Sequence, residues 1–311
     1  MSIINAKMKR IVYILMFLQT IAWGQQDNLY TQFMYNPSSI NPGYTGSRLG
    51  TTIFMQAREQ WVGFEGAPST SNLNIQHYRE RSNLGLGLDV YTDAVGPFNE
   101  KSISLNTSYH LQLSNDQYLG LGLQASVSSV NLDFSSLELY DPEDPFYESN
   151  LQNRINPNMG FGFYYYSTKS YFGLSVPRLF NTFNYEPSKS DRFKITFENI
   201  HLYAMAGHVF QLTNSLRFKP AILARYIQSQ PISFNYSATF NWREKVSFGA
   251  AYSEGVSVST LAGLQLSNNI FIGYSYDINT GAIDFGRGSH EILLRFELGS
   301  IYNKVWSDRF F

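Results

Sequence analysis

The sequence predicts an all-β protein, a transmembrane antiparallel β-barrel of about 14 strands preceded by a segment that is not part of the barrel. Three observations predict this fold class. Apolar and polar residues alternate with period two along most of the chain, which is typical of strands and not of helices. Most alternating segments have about 8–12 residues, the length a tilted strand needs to cross a bilayer, whereas soluble strands centre on five or six. The connections between them are mainly short and polar on one side and long on the other, the layout of a bacterial outer-membrane barrel.

The first 24 residues are predicted to be an export signal. Lys7, Lys9 and Arg10 form a basic region, and the short apolar run Ile11–Trp23 leads to the small residue Gly24 before Gln25. The alternative is a retained anchor helix, but the run is too short to span a bilayer comfortably. We therefore expect an exported chain that begins at residue 25.

Residues 25–49 form the predicted non-barrel segment, which either packs inside the lumen as a plug or caps its periplasmic mouth. The segment contains two Asn-Pro pairs, and proline disfavours the α region for the residue before it, so turns are expected. The alternative, a disordered leader, does not suit the high density of aromatic side chains. The residues concerned are Asn36, Pro37, Asn41 and Pro42, with Tyr30, Phe33, Tyr35 and Tyr44.

The barrel is predicted to occupy residues 50–299. In Ser102–Leu113, for example, every second residue is apolar or large, and the residues between are small or polar. A soluble β-sandwich is the alternative, but a sandwich rarely needs so many long strands and exposed aromatics. The expected strands are 50–60, 69–78, 84–92, 101–113, 117–127, 158–167, 170–177, 201–211, 216–226, 232–242, 245–253, 256–267, 269–277 and 290–299.

The sequence LGLGL occurs at Leu84–Leu88 and at Leu119–Leu123, and GFGF follows at Gly160–Phe163. Glycine weakens a strand in water because it costs backbone entropy and supplies no packing. In a barrel, the large residues would face lipid and the glycines would face the lumen, where they clear space or allow curvature. The side chains expected to face lipid include Leu86, Leu105, Ile222 and Leu294.

The long connections are Ser128–Pro157, Pro177–Ile200 and Ile278–Ser289, which should lie outside the cell. An even number of strands then places both mature ends in the periplasm, including the tail Ser300–Phe311, to which no role is assigned. The longest loop contains the acidic run Asp141–Glu148, which could hold calcium or simply be solvated.

Little in the chain indicates catalysis. Cysteine is absent and the five histidines are scattered, so neither a metal site nor a cofactor site is expected. Ser108 and His110 share a strand face but have no evident acidic partner, and a net charge of −1 does not favour nucleic-acid binding. The predicted lumen charges either line a pore or form internal ion pairs that also involve Asp89 and Glu291; they are Arg217, Lys219, Arg225, Arg295 and Glu297.

Several motifs, in order along nearly the whole mature chain, resemble the PorP/SprF family of Bacteroidota outer-membrane proteins. They are NLYTQFMYNPSSINPGYTGSR (Asn28–Arg48), REQWVGFEGAPST (Arg58–Thr70), LGLGLDVYTDAVGP, NPNMGFGFYYYS, YFGLSVPRLF, FKPAILARY, IGYSYDIN and GSHEILLRFEL. The extension beyond Leu298 departs from the family pattern. The matching motif residues that we expect to be structural are Asn36, Pro37, Asn41, Pro42, Tyr44, Gly46, Arg58, Gln60, Gly66 and Pro68.

The resemblance implies an outer-membrane component of the type IX secretion system. Its expected partners are a cargo protein with a C-terminal sorting domain, such as a gliding adhesin, other secretion components and the lipid bilayer. Trp61 and Phe64 are the candidate cargo contacts, because aromatic residues dominate interface energetics; a place in the aromatic girdle is the alternative for both. A passive channel or a transporter for small or apolar solutes is the alternative function.

Overall fold

The computed structural model describes residues 29–134, 151–180, 200–228, 230–281 and 287–299. These residues form 15 strand segments in one antiparallel sheet. The segments are β1 (Thr51–Glu59), β2 (Ser69–Arg79), β3 (Leu84–Val95), β4 (Phe98–Ser114), β5 (Gln117–Leu132), β6 (Leu151–Tyr166), β7 (Ser170–Val176), β8 (His201–His208), β9 (Phe210–Thr213), β10 (Leu216–Ile227), β11 (Ser233–Trp242), β12 (Val246–Ser253), β13 (Ser257–Ser267), β14 (Ile270–Asn279) and β15 (Ser289–Leu298).

The sheet closes into a barrel of 14 strands, as predicted. Each strand pairs with the next one along the chain, and β1 pairs with β15 from Thr51 opposite Leu298 to Glu59 opposite His290. The segments β8 and β9 occupy one position in the ring, because both pair with β10 and only Val209 separates them. Closure leaves no sheet edge, so every strand finds a backbone partner without water.

The strand ends differ from the prediction mainly in one region. The predicted long loop Ser128–Pro157 is strand at both of its ends, because β5 continues to Leu132 and β6 begins at Leu151. The predicted β5 ends too early and the predicted β6 begins too late, since the outward alternation there includes Ser129, Asn153 and Pro157 instead of large apolar residues. Pro157 lies opposite Val127 in the paired region.

The two ends of the barrel differ in their connections. We call the end with connections 60–68, 133–150, 177–200 and 280–288 the loop end. We call the other end the turn end, where the connections are short: 80–83, 115–116, 167–169, 214–215, 243–245 and 268–269. The first residue of β1 and the last of β15 both lie at the turn end.

The side chains alternate between the two faces of the wall as predicted. On β4, the inward Ser104, Asn106 and Ser108 are buried, whereas the outward Leu105 is 64% exposed. Leu86 is also exposed on the outer face, and Ile222 and Leu294 are half-buried there. The outer face therefore presents the apolar band that a bilayer requires.

Among the described residues, no helix is long and apolar enough to cross a membrane. The helical elements described are three short 3-10 turns, Pro37–Ser39, Pro42–Tyr44 and Glu80–Ser82. The predicted export signal (1–24), the acidic run Asp141–Glu148 and the tail 300–311 lie outside the described residues.

Candidate functional site: the occupied lumen and the loop-end rim

Residues 29–50, which we call the lumen segment, pack against the inward side chains of the barrel. Its two Asn-Pro pairs begin the two 3-10 turns, since proline is tolerated at a first helical position, where its missing N–H is not needed. The Asn41 side chain caps the second turn by accepting a hydrogen bond from the Gly43 amide at 2.9 Å. Most of the segment is buried, including Asn36, Pro37, Asn41, Pro42, Tyr44 and Gly46.

The inward glycines of the wall lie directly against the backbone of the lumen segment. A Cβ at Gly85 would overlap the Thr45 carbonyl, and a Cβ at Gly120 or Gly122 would overlap the backbone at Gly43. At Gly162, a Cβ would overlap the side chain of Asn41. The repeated glycines of LGLGL and GFGF thus allow a close approach between wall and segment that no larger residue permits.

Polar side chains of the wall bind the backbone carbonyls of the lumen segment. Ser108 Oγ donates to Gly43 O at 3.1 Å, and Ser175 Oγ donates to Ile40 O at 2.7 Å. His110 Nε2 lies 2.9 Å from Thr45 O, so this nitrogen carries the proton, and Nδ1 accepts from the Tyr166 hydroxyl at 2.8 Å. The two residues that resembled a Ser-His pair therefore both hold the lumen segment.

An array of amides on β2 extends these contacts. Gln76 accepts a hydrogen bond from the Gly46 amide at 2.9 Å and donates to Ser38 Oγ at 2.7 Å. Asn72 and Asn74 donate to the two carboxylate oxygens of Asp89 at 2.7 and 2.9 Å. Among the described residues, both carboxylate oxygens of Asp89 therefore accept hydrogen bonds from uncharged amide donors.

A buried charge cluster lies near the loop end. Arg58 Nη1 lies 2.6 Å from Asp277 Oδ2 and 3.1 Å from Glu291 Oε2, and all three side chains are at most 7% exposed. Glu291 also accepts hydrogen bonds from the Thr31 amide at 2.8 Å and the Gln32 amide at 3.0 Å. The cluster thus joins β1, β14 and β15 to the start of the lumen segment through charge-assisted bonds, which are stronger than neutral ones.

A second cluster lies near the turn end. Arg48 Nη1 lies 2.6 Å from Glu297 Oε1, and Arg295 Nε lies 3.1 Å from the same oxygen. Arg48 Nε also donates to the Tyr44 hydroxyl at 3.1 Å. The Arg295 guanidinium lies 4.7 Å from the centroid of the Phe271 ring. This cluster binds the last residues of the lumen segment to the wall.

Between these clusters, apolar side chains fill the lumen. Tyr35 of the lumen segment packs on Phe271 with ring centroids 5.0 Å apart, and Tyr44 meets Tyr164 edge to face at 5.1 Å. The wall also contributes inward apolar side chains, which form one buried cluster with those of the segment: Tyr166, Tyr171, Tyr203, Met205, Ala221, Leu223, Ala251, Leu261 and Leu293. A hydrophobic core of this kind resembles the interior of a globular domain more than a water-filled pore.

The remaining predicted lumen charges lie on β10. Lys219 and Arg225 are buried, and Arg225 Nε donates to Ser233 Oγ at 3.3 Å. Arg217 lies at the mouth of the turn end, where it contacts Glu244 Oε1 at 2.7 Å and Gln211 Oε1 at 2.9 Å.

The loop 60–68 forms a rim at the loop end with its neighbours. The Gln60 amide donates to Pro68 O at 2.9 Å, which closes this loop on itself. The Trp61 amide donates to Ser289 Oγ at 3.2 Å, and the Gly96 amide donates to Gly66 O at 2.9 Å. Gly66 has φ +71°, which explains why glycine is needed there.

The two candidate cargo contacts belong to this rim. Phe64 is 52% exposed, and Trp61 is half-buried with φ +46°. The backbone of the adjacent Val62 forms hydrogen bonds with Arg287 and Gly288 of the connection between β14 and β15. The rim is thus a hydrogen-bonded surface on which about half of the Phe64 side chain is exposed.

Sequence reasoning missed one feature of the loop end, the inward path of residues 177–180. The Asn158 side chain accepts from the amides of Leu179 and Phe180 at 2.9 and 3.0 Å and donates to Phe180 O at 2.6 Å. Arg178 reaches Glu100 on β4 at 3.3 Å. A Cβ at Gly160 would overlap the backbone of Pro177. This glycine was the one available signal of the contact in the sequence, because it extends the glycine series of β6.

Within the described ranges, no group of three or more His, Asp or Glu side chains is placed to hold a metal ion. The candidate site consists of a lumen occupied by residues 29–50 through many specific contacts, and of a hydrogen-bonded rim at the loop end.

The chain matches a family model described as "Type IX secretion system membrane protein PorP/SprF" over residues 22–296. No curated protein matches the chain.

Solved structures of low sequence identity also match. The Acinetobacter baumannii outer membrane protein Omp33 is 7% identical with a TM-score of 0.47, over 82% of this chain and 100% of that one. The CymD monoaromatic hydrocarbon channel is 13% identical with a TM-score of 0.48, over 89% and 95%. The Ralstonia pickettii toluene transporter TbuX is 9% identical with a TM-score of 0.49, over 90% and 96%.

Proposed function

Because the chain belongs to the PorP/SprF family of type IX secretion system membrane proteins, we propose that it aids the secretion or surface anchoring of one cognate cargo protein. The family makes the chain an outer-membrane component of that system, and family and fold together suggest a component without enzymatic activity. The cargo in this proposal has a C-terminal sorting domain, as an adhesin does. Other components of the secretion system are the expected partners within the membrane.

The occupied lumen is the observation that most supports a role as a scaffold. A diffusion channel needs a continuous polar path, whereas here the lumen segment and an apolar cluster meet in the middle of the barrel. The carboxylates and amides that could line a pore instead bind the segment, as Glu291 and Gln76 do. The barrel wall is therefore suited to hold a fixed internal structure while its outer surfaces contact other proteins.

The loop-end rim supports the choice of contact surface. Its backbone is held by hydrogen bonds among three connections, so the loop that carries the exposed Phe64 side chain would lose little backbone freedom on binding. Aromatic anchors of this kind supply much of the energy at protein interfaces. We therefore assign cargo contact to Phe64 and Trp61.

Deletion of the gene tests the proposal. We expect the cognate cargo to be synthesised but not displayed, as measured by protease treatment of intact cells, while the uptake of small solutes is unchanged. Normal display of every sorting-domain cargo, together with the loss of a solute permeability, would support the channel alternative instead.

The contact residues are tested in the intact membrane protein. The double variant Trp61→Ala/Phe64→Ala should lose capture of the cargo sorting domain in a pull-down, and Glu65→Ala in the same loop is the matched control. Both variants should keep the heat-modifiable mobility of a folded barrel on gels. Full capture by the double variant would remove these residues from the interface.

A further inference from the structure

The lumen segment has a direction through the barrel, and its two ends lie at different ends of the wall. Thr31 is near the loop end: its hydroxyl lies 2.8 Å from Asp277 Oδ2 and 2.7 Å from Arg58 Nη1. Arg58 is the second-last residue of β1, and Asp277 is the third-last of β14, so both side chains start close to the loop connections.

The other end of the segment is at the turn end. Arg48 contacts Glu297, the second-last residue of β15, and the Gly50 carbonyl accepts a hydrogen bond from the Tyr78 amide at 2.9 Å. Tyr78 is the second-last residue of β2, next to a short turn. Gly50 then leads directly into β1.

Two contacts with β14 follow the same direction along that strand. Gln32 lies against Gly273 in the middle of β14, and Tyr35 then reaches Phe271, two residues nearer the turn end. The chain therefore passes through the lumen from the loop end to the turn end, reverses at Gly50 and returns as β1.

We infer that the chain enters the barrel at its loop end, so that Leu29 lies on the side of the membrane opposite the carboxyl end of β15. This differs from the expectation that an even strand number puts both termini on one side. Strand parity determines only where β1 begins and β15 ends, and the lumen segment adds one further passage before β1. Leu29 and Gly299, the first and last described residues, thus lie at opposite ends of the barrel.

The start of the lumen segment lies close to the proposed interaction surface at the loop end. Thr31 is bound to Arg58, and Arg58 lies three residues before Trp61 in the rim. The start of the lumen segment thus lies close to the rim that we assign to cargo. This consequence for cargo rests on the proposed function, whereas the position of Leu29 rests on the path of the lumen segment alone.

Single cysteines test the path, since the natural chain contains none. Intact cells are treated with a maleimide carried on a polyethylene glycol too large to enter the lumen. Gln26→Cys reports the amino terminus, Glu65→Cys the loop end, Asn115→Cys the turn end and Gly299→Cys the end of β15. Heat-modifiable mobility on gels confirms that each variant is folded.

The inference expects Gln26→Cys to label together with Glu65→Cys, and Gly299→Cys to label together with Asn115→Cys only after the outer membrane is permeabilised. Labelling of Gln26→Cys together with Asn115→Cys would overturn it. Labelling of Gln26→Cys only after denaturation would also overturn it, because the terminus would then end inside the lumen. Failure of the proposed function is visible separately, as normal cargo display in the deletion strain.

Discussion

The wall and the lumen segment are held together by individual buried side chains whose partners are distant in sequence. Glu291 shows this best, because it binds a guanidinium on β1 and two backbone amides of the lumen segment while fully buried. Removing one partner of a buried ion pair strongly destabilises the fold, because the remaining charge has no partner in a site that water does not reach. An exposed pair loses little in the same experiment.

Arg58→Ala should therefore destabilise the barrel by about 3–5 kcal/mol, because it leaves the buried carboxylates of Asp277 and Glu291 without their cation. The matched control is Glu244→Ala, which removes the partner of Arg217 at the exposed turn end and should cost about 0–1 kcal/mol. The measurement is urea unfolding in micelles, followed by the mobility change on gels. Equal costs for the two variants would show that the cluster at Glu291 does not hold the segment.

At the scale of the element, the lumen segment and the glycine-bearing strands are complementary surfaces. Two turns begun by Asn-Pro pairs bring the Gly43 backbone against Gly120 and Gly122 of β5. Neither partner has a side chain at the contact, so the strand and the segment approach each other by backbone. The unusual composition of β5 is thus explained by the element it packs against.

Gly122→Ala should weaken this contact by about 1–3 kcal/mol, because the added Cβ would overlap the backbone of Pro42 and Gly43, which cannot rotate away. Ala125→Val, on the outward face of the same strand, enlarges a side chain that is exposed and should change stability by less than about 0.5 kcal/mol. The temperature of the mobility change on gels measures both effects. If the Gly122→Ala barrel is as stable as the Ala125→Val barrel, the lumen segment can move away from the added Cβ without a loss of stability.

At the scale of the whole molecule, one barrel has two unlike surfaces. Its outer face is apolar and suits lipid, and its inner face combines glycines, amides, charges and an apolar cluster that suit one internal segment. Most of the stability therefore comes from two different environments, the bilayer outside and a protein core inside. A charge on the outer face should be tolerated according to its depth in the bilayer.

Leu123→Arg and Leu113→Arg test the position of the bilayer. The two leucines are 60% and 56% exposed on the outer face, but Leu123 lies near the middle of β5 and Leu113 lies next to a short turn. An arginine costs about 2–4 kcal/mol at the midplane and about 0–1 kcal/mol near the interface. Leu123→Arg should thus reduce the amount of folded barrel in the outer membrane more than Leu113→Arg. If Leu113→Arg reduced the amount of folded barrel more than Leu123→Arg, the bilayer midplane would lie closer to the turn end.

The sequence by itself determined the strands, their number and which face of each strand meets lipid. Period-two alternation, as in Ser102–Leu113, is a local property of the sequence and identifies the strands. Strands in a bilayer must pair every backbone group, so they have to close into a barrel. Only the tertiary structure decided where residues 29–50 lie, in which direction they run and which charges they bind. Thr31 and Glu291 are 260 residues apart, and no local pattern links them. They meet because closure of the ring brings β1 beside β15 and leaves a lumen that the segment fills.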